Sequence, residues 1–143
     1  MSEQNKDLVR REAEEFVNQK NFELFDQIYH PDFRSTNPGE TEGMDLNTYR
    51  EVWKKIFTSF PDFHTEILDL IEVGETVVSI WRSQATFKAN WDEVPANNEL
   101  ISWSGIDVDR FRDGKIVECI TAFDNLNSSL KMGSVQAVVP ATE

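Results

Sequence analysis

SGIDVDRFRDGKIVE, residues 104–118, is the stretch whose reading decides the fold. It breaks at Arg112-Asp113-Gly114-Lys115, and an Asp-Gly pair supplies the left-handed positions that a tight hairpin turn needs. One strand, 100–111, enters that turn and another, 115–123, leaves it. The departing strand is apolar through Ile116, Val117, Ile120 and Phe123, and it stops on Asp124. Strict alternation puts Ile116, Glu118, Ile120, Ala122 and Asp124 on one face and Val117, Cys119, Thr121 and Phe123 on the other. A carboxylate that follows Ile120 and Ala122 into an apolar space has its pKa raised by desolvation, which suits it to proton transfer near neutrality. Asp124 also reads as the cap of a short helix starting at Asn125, and on the residues alone that reading comes first. Asp107 and Asp109 alternate on the entering strand and are expected at a solvated outer edge.

Toward the N-terminus, Val73-Gly74-Glu75-Thr76 reads as another hairpin turn, between a strand at 63–73 and one at 77–87. The second of these places Trp81, Ser83, Ala85 and Phe87 on one face, two flat walls around two small residues. Trp103 on the next strand and Trp91 in the loop 88–98 are of the same kind, and ordinary core packing accounts for any one of them. Before the strands come helices. Val9, Ala13, Phe16 and Val17 share one helical face, with the acidic residues assigned to the other; a short second helix carries Leu24, Phe25 and Ile28 and ends at His30-Pro31. Residues 34–43 read as a loop. Asp45 caps a third helix in which Tyr49, Val52, Trp53, Ile56, Phe57 and Phe60 recur at helical spacing until Pro61. Helices followed by a meandering sheet predict an α+β fold, with a cavity between the curved sheet and the long amphipathic helix.

The totals bound the function. A chain of 143 residues suits one domain, expected over 1–133, with a flexible tail at 134–143. The formal net charge of −12 argues against nucleic acid as a partner and otherwise reads as solubility; steering of a cationic ligand finds no local support in the sequence. No apolar run is long enough to span a membrane, and the charged start is unlike a secretory signal. The single cysteine, Cys119, fits a reducing, cytoplasmic setting, and one Cys with two distant histidines, His30 and His64, lacks the spacing of a zinc site. No phosphate loop, nucleophile elbow or His-Glu metal helix is present.

HPDF at 30–33, FPDFH at 60–64, VGETVVSIW at 73–81 and SGIDVDRFRDGKIVE at 104–118, in that order, resemble the SnoaL-like polyketide cyclase, or ester cyclase, branch of the nuclear transport factor 2-like superfamily. The spacing from Asp124 through Leu130 to Gly133 is also similar to the family's closing segment. The resemblance implies a cone-shaped curved antiparallel sheet packed on N-terminal helices, a deep pocket for a small apolar or polyketide-like molecule, and a homodimer or homotetramer. It implies intramolecular aldol closure with no metal or organic cofactor, and Asp124 as acid and base, which reverses the order of the two readings of that residue. Asn37, Tyr49, Trp53, Trp81, Phe87 and Trp103 are then the expected substrate-binding residues. Two histidines common in the family are replaced, by Thr36 and Phe87. A non-catalytic binder of apolar molecules, or an assembly module built on the same cone, are the rival readings.

Overall fold

A computed structural model describes residues 2–138 and 140. Helix α1 (Ser2–Arg11) continues as a π-helical turn, Glu12–Val17, and a 3-10 turn, Phe22–Leu24, leads into the short α2 (Phe25–Ile28). Strands β1 (Tyr29–Thr36) and β2 (Met44–Asp45) come next, then α3 (Leu46–Ser59). Four long strands follow: β3 (His64–Val73), β4 (Thr76–Thr86), β5 (Leu100–Arg112) and β6 (Lys115–Phe123). A terminal helix, α4 (Leu126–Met132), closes the chain, and no helix or strand follows it among the described residues. Residues 139 and 141–143 of the expected tail lie outside them.

The strands form one sheet in the order β2-β1-β6-β5-β4-β3. The meander β3 to β6 is antiparallel, as its hairpin signals predict. Asp113 and Gly114 both have positive φ, +54° and +75°, so the right-handed twist of the two strands carries through the turn. Asp45 caps α3 by accepting from the Thr48 N–H at 2.9 Å.

Two features differ from the expectation. The chain around His30-Pro31 enters a strand, where the sequence suggests a helix end followed by a loop. β1 pairs parallel with β6, and its register shifts between Tyr29 and Arg34. The shift takes Pro31 out of the ladder, where its missing N–H costs no hydrogen bond. The other difference lies in β6. Phe111 pairs with Ile116, and Arg110 with Glu118, so Val117 is an extra residue, a β-bulge. Beyond it the faces exchange. Cys119, Thr121 and Phe123 share the concave face with Ile116, while Glu118, Ile120, Ala122 and Asp124 turn to the convex one, where Glu118 pairs with Arg110 at 2.6 Å.

The core fills the concavity. Phe16, fully buried, is the hub of an aromatic cluster with Phe22, Phe25, Tyr29, Trp53 and Phe57, at ring separations of 5.2 to 6.2 Å. Edge-on contacts of this kind add to what burial alone gives. A second cluster gathers Phe60, Ala85, Phe87 and Ile101. Gly105, in the middle of β5, lies under the Trp81 ring: a Cβ there would meet Ala122 O at 2.6 Å, Phe123 Cβ at 2.7 Å and Trp81 Cζ2 at 2.7 Å. Only glycine leaves that space for the indole. Gly105→Ala is expected to destabilise the protein by about 1–3 kcal/mol in urea unfolding, through overpacking. A variant as stable as the parent would mean that Trp81 does not lie across the sheet at this point.

Candidate functional site

Between the helices and the concave face lies a cavity of about 1180 Å³. Its walls draw on both aromatic clusters. All four tryptophans of the chain, Trp53, Trp81, Trp91 and Trp103, line it. Of the residues expected to bind substrate, Asn37, Tyr49, Trp53, Trp81 and Trp103 are brought together there. Asn37 donates through Nδ2 to Thr121 O at 2.9 Å, which ties the loop after β1 to β6. Phe87 is not in the wall. It is fully buried and stacked on Phe60 at 5.3 Å, because β4 has by then passed from the cavity into the second cluster. Thr36, at the other expected histidine position, does face the cavity.

Asp124 is exposed and outside the cavity lining. The bulge at Val117 is the reason: it moves Asp124 from the face predicted by strict alternation to the other one. Its backbone N–H donates to Ser104 O at 3.0 Å. The adjoining helix takes Asn125 as its N-cap residue, so the cap reading is not realised at Asp124 either.

The buried carboxylates are others. Asp107 and Asp109, expected at a solvated edge, lie on an interior strand and share its concave face with Trp103 and Phe111. Asp107 lines the cavity, and Trp81 Nε1–H donates to its Oδ1 at 3.0 Å. Burial raises its pKa, opposed by the Trp81 indole and the Thr121 hydroxyl. Asp109 is 1% exposed and neither carboxylate oxygen has a hydrogen-bond partner. Burial, and then the charges of Glu12 and Asp107, hold it well above the carboxylate range. One oxygen of each aspartate and Cys119 Sγ lie within 4.8 Å of one another. The buried thiol is itself pushed up, first by burial and then by the two aspartates.

Glu12 completes the group. It lines the cavity from the first residue of the π-helical turn, and the Tyr29 hydroxyl donates to its Oε2. Burial pushes Glu12 up to about 7, with the Tyr29 hydroxyl opposing and the Asp107 charge adding to the rise. Tyr29 in turn is raised by burial and by Glu12, so it keeps its proton and remains the donor. Sequence reasoning missed Glu12 by assigning the acidic residues of the first helix to its outer face. The signal was there: position 12 stands three residues after Val9 and four before Phe16, inside the apolar stripe. Chemically, the site offers buried carboxyl groups held above their ordinary range, Glu12 at about 7, set in an aromatic enclosure.

No helix among the described residues is long and apolar enough to cross a membrane. No curated protein sequence matches the chain. Among solved structures, AclR from Streptomyces galilaeus superimposes with a TM-score of 0.85 at 18% identity, covering 97% of this chain and 91% of its own. IdmH from Streptomyces antibioticus gives 0.77 at 22%, covering 91% and 99%. A SnoaL-like polyketide cyclase from Agrobacterium tumefaciens gives 0.72 at 16%, covering 86% and 93%. At such identities these likenesses establish the fold, the curved sheet over N-terminal helices found in nuclear transport factor 2-like proteins. The sequence model of the SnoaL-like polyketide cyclases matches residues 7–130, nearly the whole chain, and the protein therefore belongs to that family.

Proposed function

We propose that the cavity binds a small carbonyl compound with apolar flanks, and that Asp107 is its acid/base catalyst for carbon–carbon closure within that molecule. The observation that carries this reading is a carboxylate in the cavity wall, oriented by an indole N–H and raised in pKa by burial. Asp107, ionised, takes a proton from the carbon α to one carbonyl, and the electron pair moves into the enolate. The enolate carbon attacks a second carbonyl carbon, whose oxygen becomes an alkoxide. That alkoxide recovers the proton from the Asp107 carboxylic acid, and the carboxylate is restored. Charge and atoms balance with no oxidant or reductant. Both reacting groups belong to one bound molecule, so positioning supplies much of the rate.

The test needs no natural substrate. Exchange of the α-protons of an aryl β-keto ester into D2O, followed by proton NMR at mildly acidic pH, reads the first step alone. Asp107→Asn is expected to lower the protein-accelerated rate by about 10²-fold or more, and Asp124→Asn to leave it unchanged. The opposite pattern would return the chemistry to Asp124 and sink the proposal.

The raised pKa of Glu12 has a consequence for stability. Between about 4.5 and about 7 the folded protein holds a proton that the unfolded chain has released, so stability falls as pH rises through that window and levels off above it. The Glu12 share is about 3 kcal/mol by linkage. Glu12→Gln, which still accepts from Tyr29, is expected to flatten the pH dependence of the urea midpoint. Parallel curves for the two proteins would mean that Glu12 is not desolvated.

The convex face carries Ile71, Val78, Ile80, Ile106, Val108 and Ile120, paired across four strands, with Ile106 46% and Ile71 48% exposed. A continuous apolar band on an exposed sheet face favours self-association, and a homodimer, or a homotetramer built from it, is part of this proposal. Sedimentation should give more than one chain's mass, and Ile106→Lys should return the single-chain mass. A parent protein that is monomeric at tens of micromolar would end this part of the reading.

A further inference from the structure

The sequence gives no local support for a cationic ligand, but the cavity does. Among the described residues that line it, the ionisable acids are Glu12, Asp107, Glu40 and Glu42, and there is no lysine, arginine or histidine. The titratable groups around Glu12 are Tyr29, Tyr49, Asp107, Asp109 and Cys119, drawn from β1, α3, β5 and β6, and none is a base that carries positive charge. Asp109 adds two buried oxygens with no partner behind this floor. Four tryptophans stand in the walls, and one of them already holds an ammonium: Lys55 Nζ lies 4.1 Å from the Trp91 ring centroid, while pairing with Asp92. Aromatic faces and unopposed carboxyl groups are the two features that select a protonated amine. The same features reject carboxylate and phosphate, for which the cavity has no cation.

We infer that the ligand of this cavity is an aromatic or polycyclic molecule that carries a basic amine and no free carboxylate or phosphate, with the ammonium seated on Glu12. The inference rests on the reading above and narrows its substrate class; Asp107 stays free to serve the carbon acid. An incoming ammonium favours the ionised form of Glu12, so below about pH 7, where burial keeps the proton on, the pair forms with release of a proton to solvent, and at pH 8 it meets a carboxylate already largely ionised.

Three matched probes test this: 9-anthracenemethylamine, 9-anthracenemethanol and anthracene-9-carboxylate, titrated by fluorescence anisotropy in 0.15 M salt at pH 8. The amine is expected to bind at least tenfold more tightly than the alcohol, and the carboxylate at least tenfold more weakly. Glu12→Gln should collapse the gap between amine and alcohol while leaving alcohol affinity within about twofold; a gap that survives the substitution places the selectivity in the diffuse charge of the surface and overturns the inference. Equal binding of amine and alcohol, or preference for the carboxylate, also overturns it, and α-proton exchange by Asp107 would stand untouched. If none of the three binds, the apolar cavity fails as a binding site, and the proposed function falls together with this inference.

Discussion

A carboxyl group removed from water keeps its proton unless a donor or a cation stabilises the charge, and the concave face of this sheet confronts that constraint three times. Burial raises Glu12, Asp107 and Asp109 alike, and the charge of Asp107 adds to the rise of Glu12, as those of Glu12 and Asp107 add to the rise of Asp109. Each has a different answer. Asp107 receives an indole N–H, Glu12 a phenol O–H, and Asp109 neither. Three carboxyl groups with three degrees of compensation are all held above the ordinary carboxylate range, with burial as the largest cause in each. The arrangement opposes stability at neutral pH, because burial favours the protonated form that the unfolded chain has already given up.

The fold holds this group in place by local irregularities rather than by regular structure. The π-helical turn starting at Glu12 follows α1 and carries Phe16, the hub of the main aromatic cluster, so the glutamate is fixed next to the most buried part of the core. Gly105 lets the Trp81 indole cross the sheet, and Trp81 then orients Asp107. The bulge at Val117 puts Thr121 opposite Asp107 and Cys119 opposite Asp109. Without that one extra residue, Glu118 and Asp124 would face the cavity and Thr121 would not.

Much of the architecture was legible in residue patterns. The Asp-Gly turn, the long helix from Asp45 to Pro61, and the inward set Trp81, Ser83, Ala85 and Phe87 are all local signals that tertiary packing left intact. Where packing overrode them, the reason is specific. Pro31 reads as a helix end, yet a register shift lets its chain join the sheet beside β6. Phe87 shares its parity with the cavity-lining Trp81, but six residues of strand carry it 20 Å or so further along, into the second cluster. Asp107 and Asp109 alternate like solvent-facing residues, and no local pattern says which face of an interior strand is the wet one.

The sequence by itself determined the order of helices and strands, their turns, the family and the store of aromatic residues for a pocket, because these depend on spacing and on side chains a few residues apart. Only the tertiary structure decided which acids are dry. A bulge shifts phase for every residue after it, and the burial of a carboxylate depends on what crosses above it from elsewhere in the chain. Hence Asp124, at the end of an apolar strand, stands in water, while Asp107, between residues that look solvated, lies in the wall of the cavity.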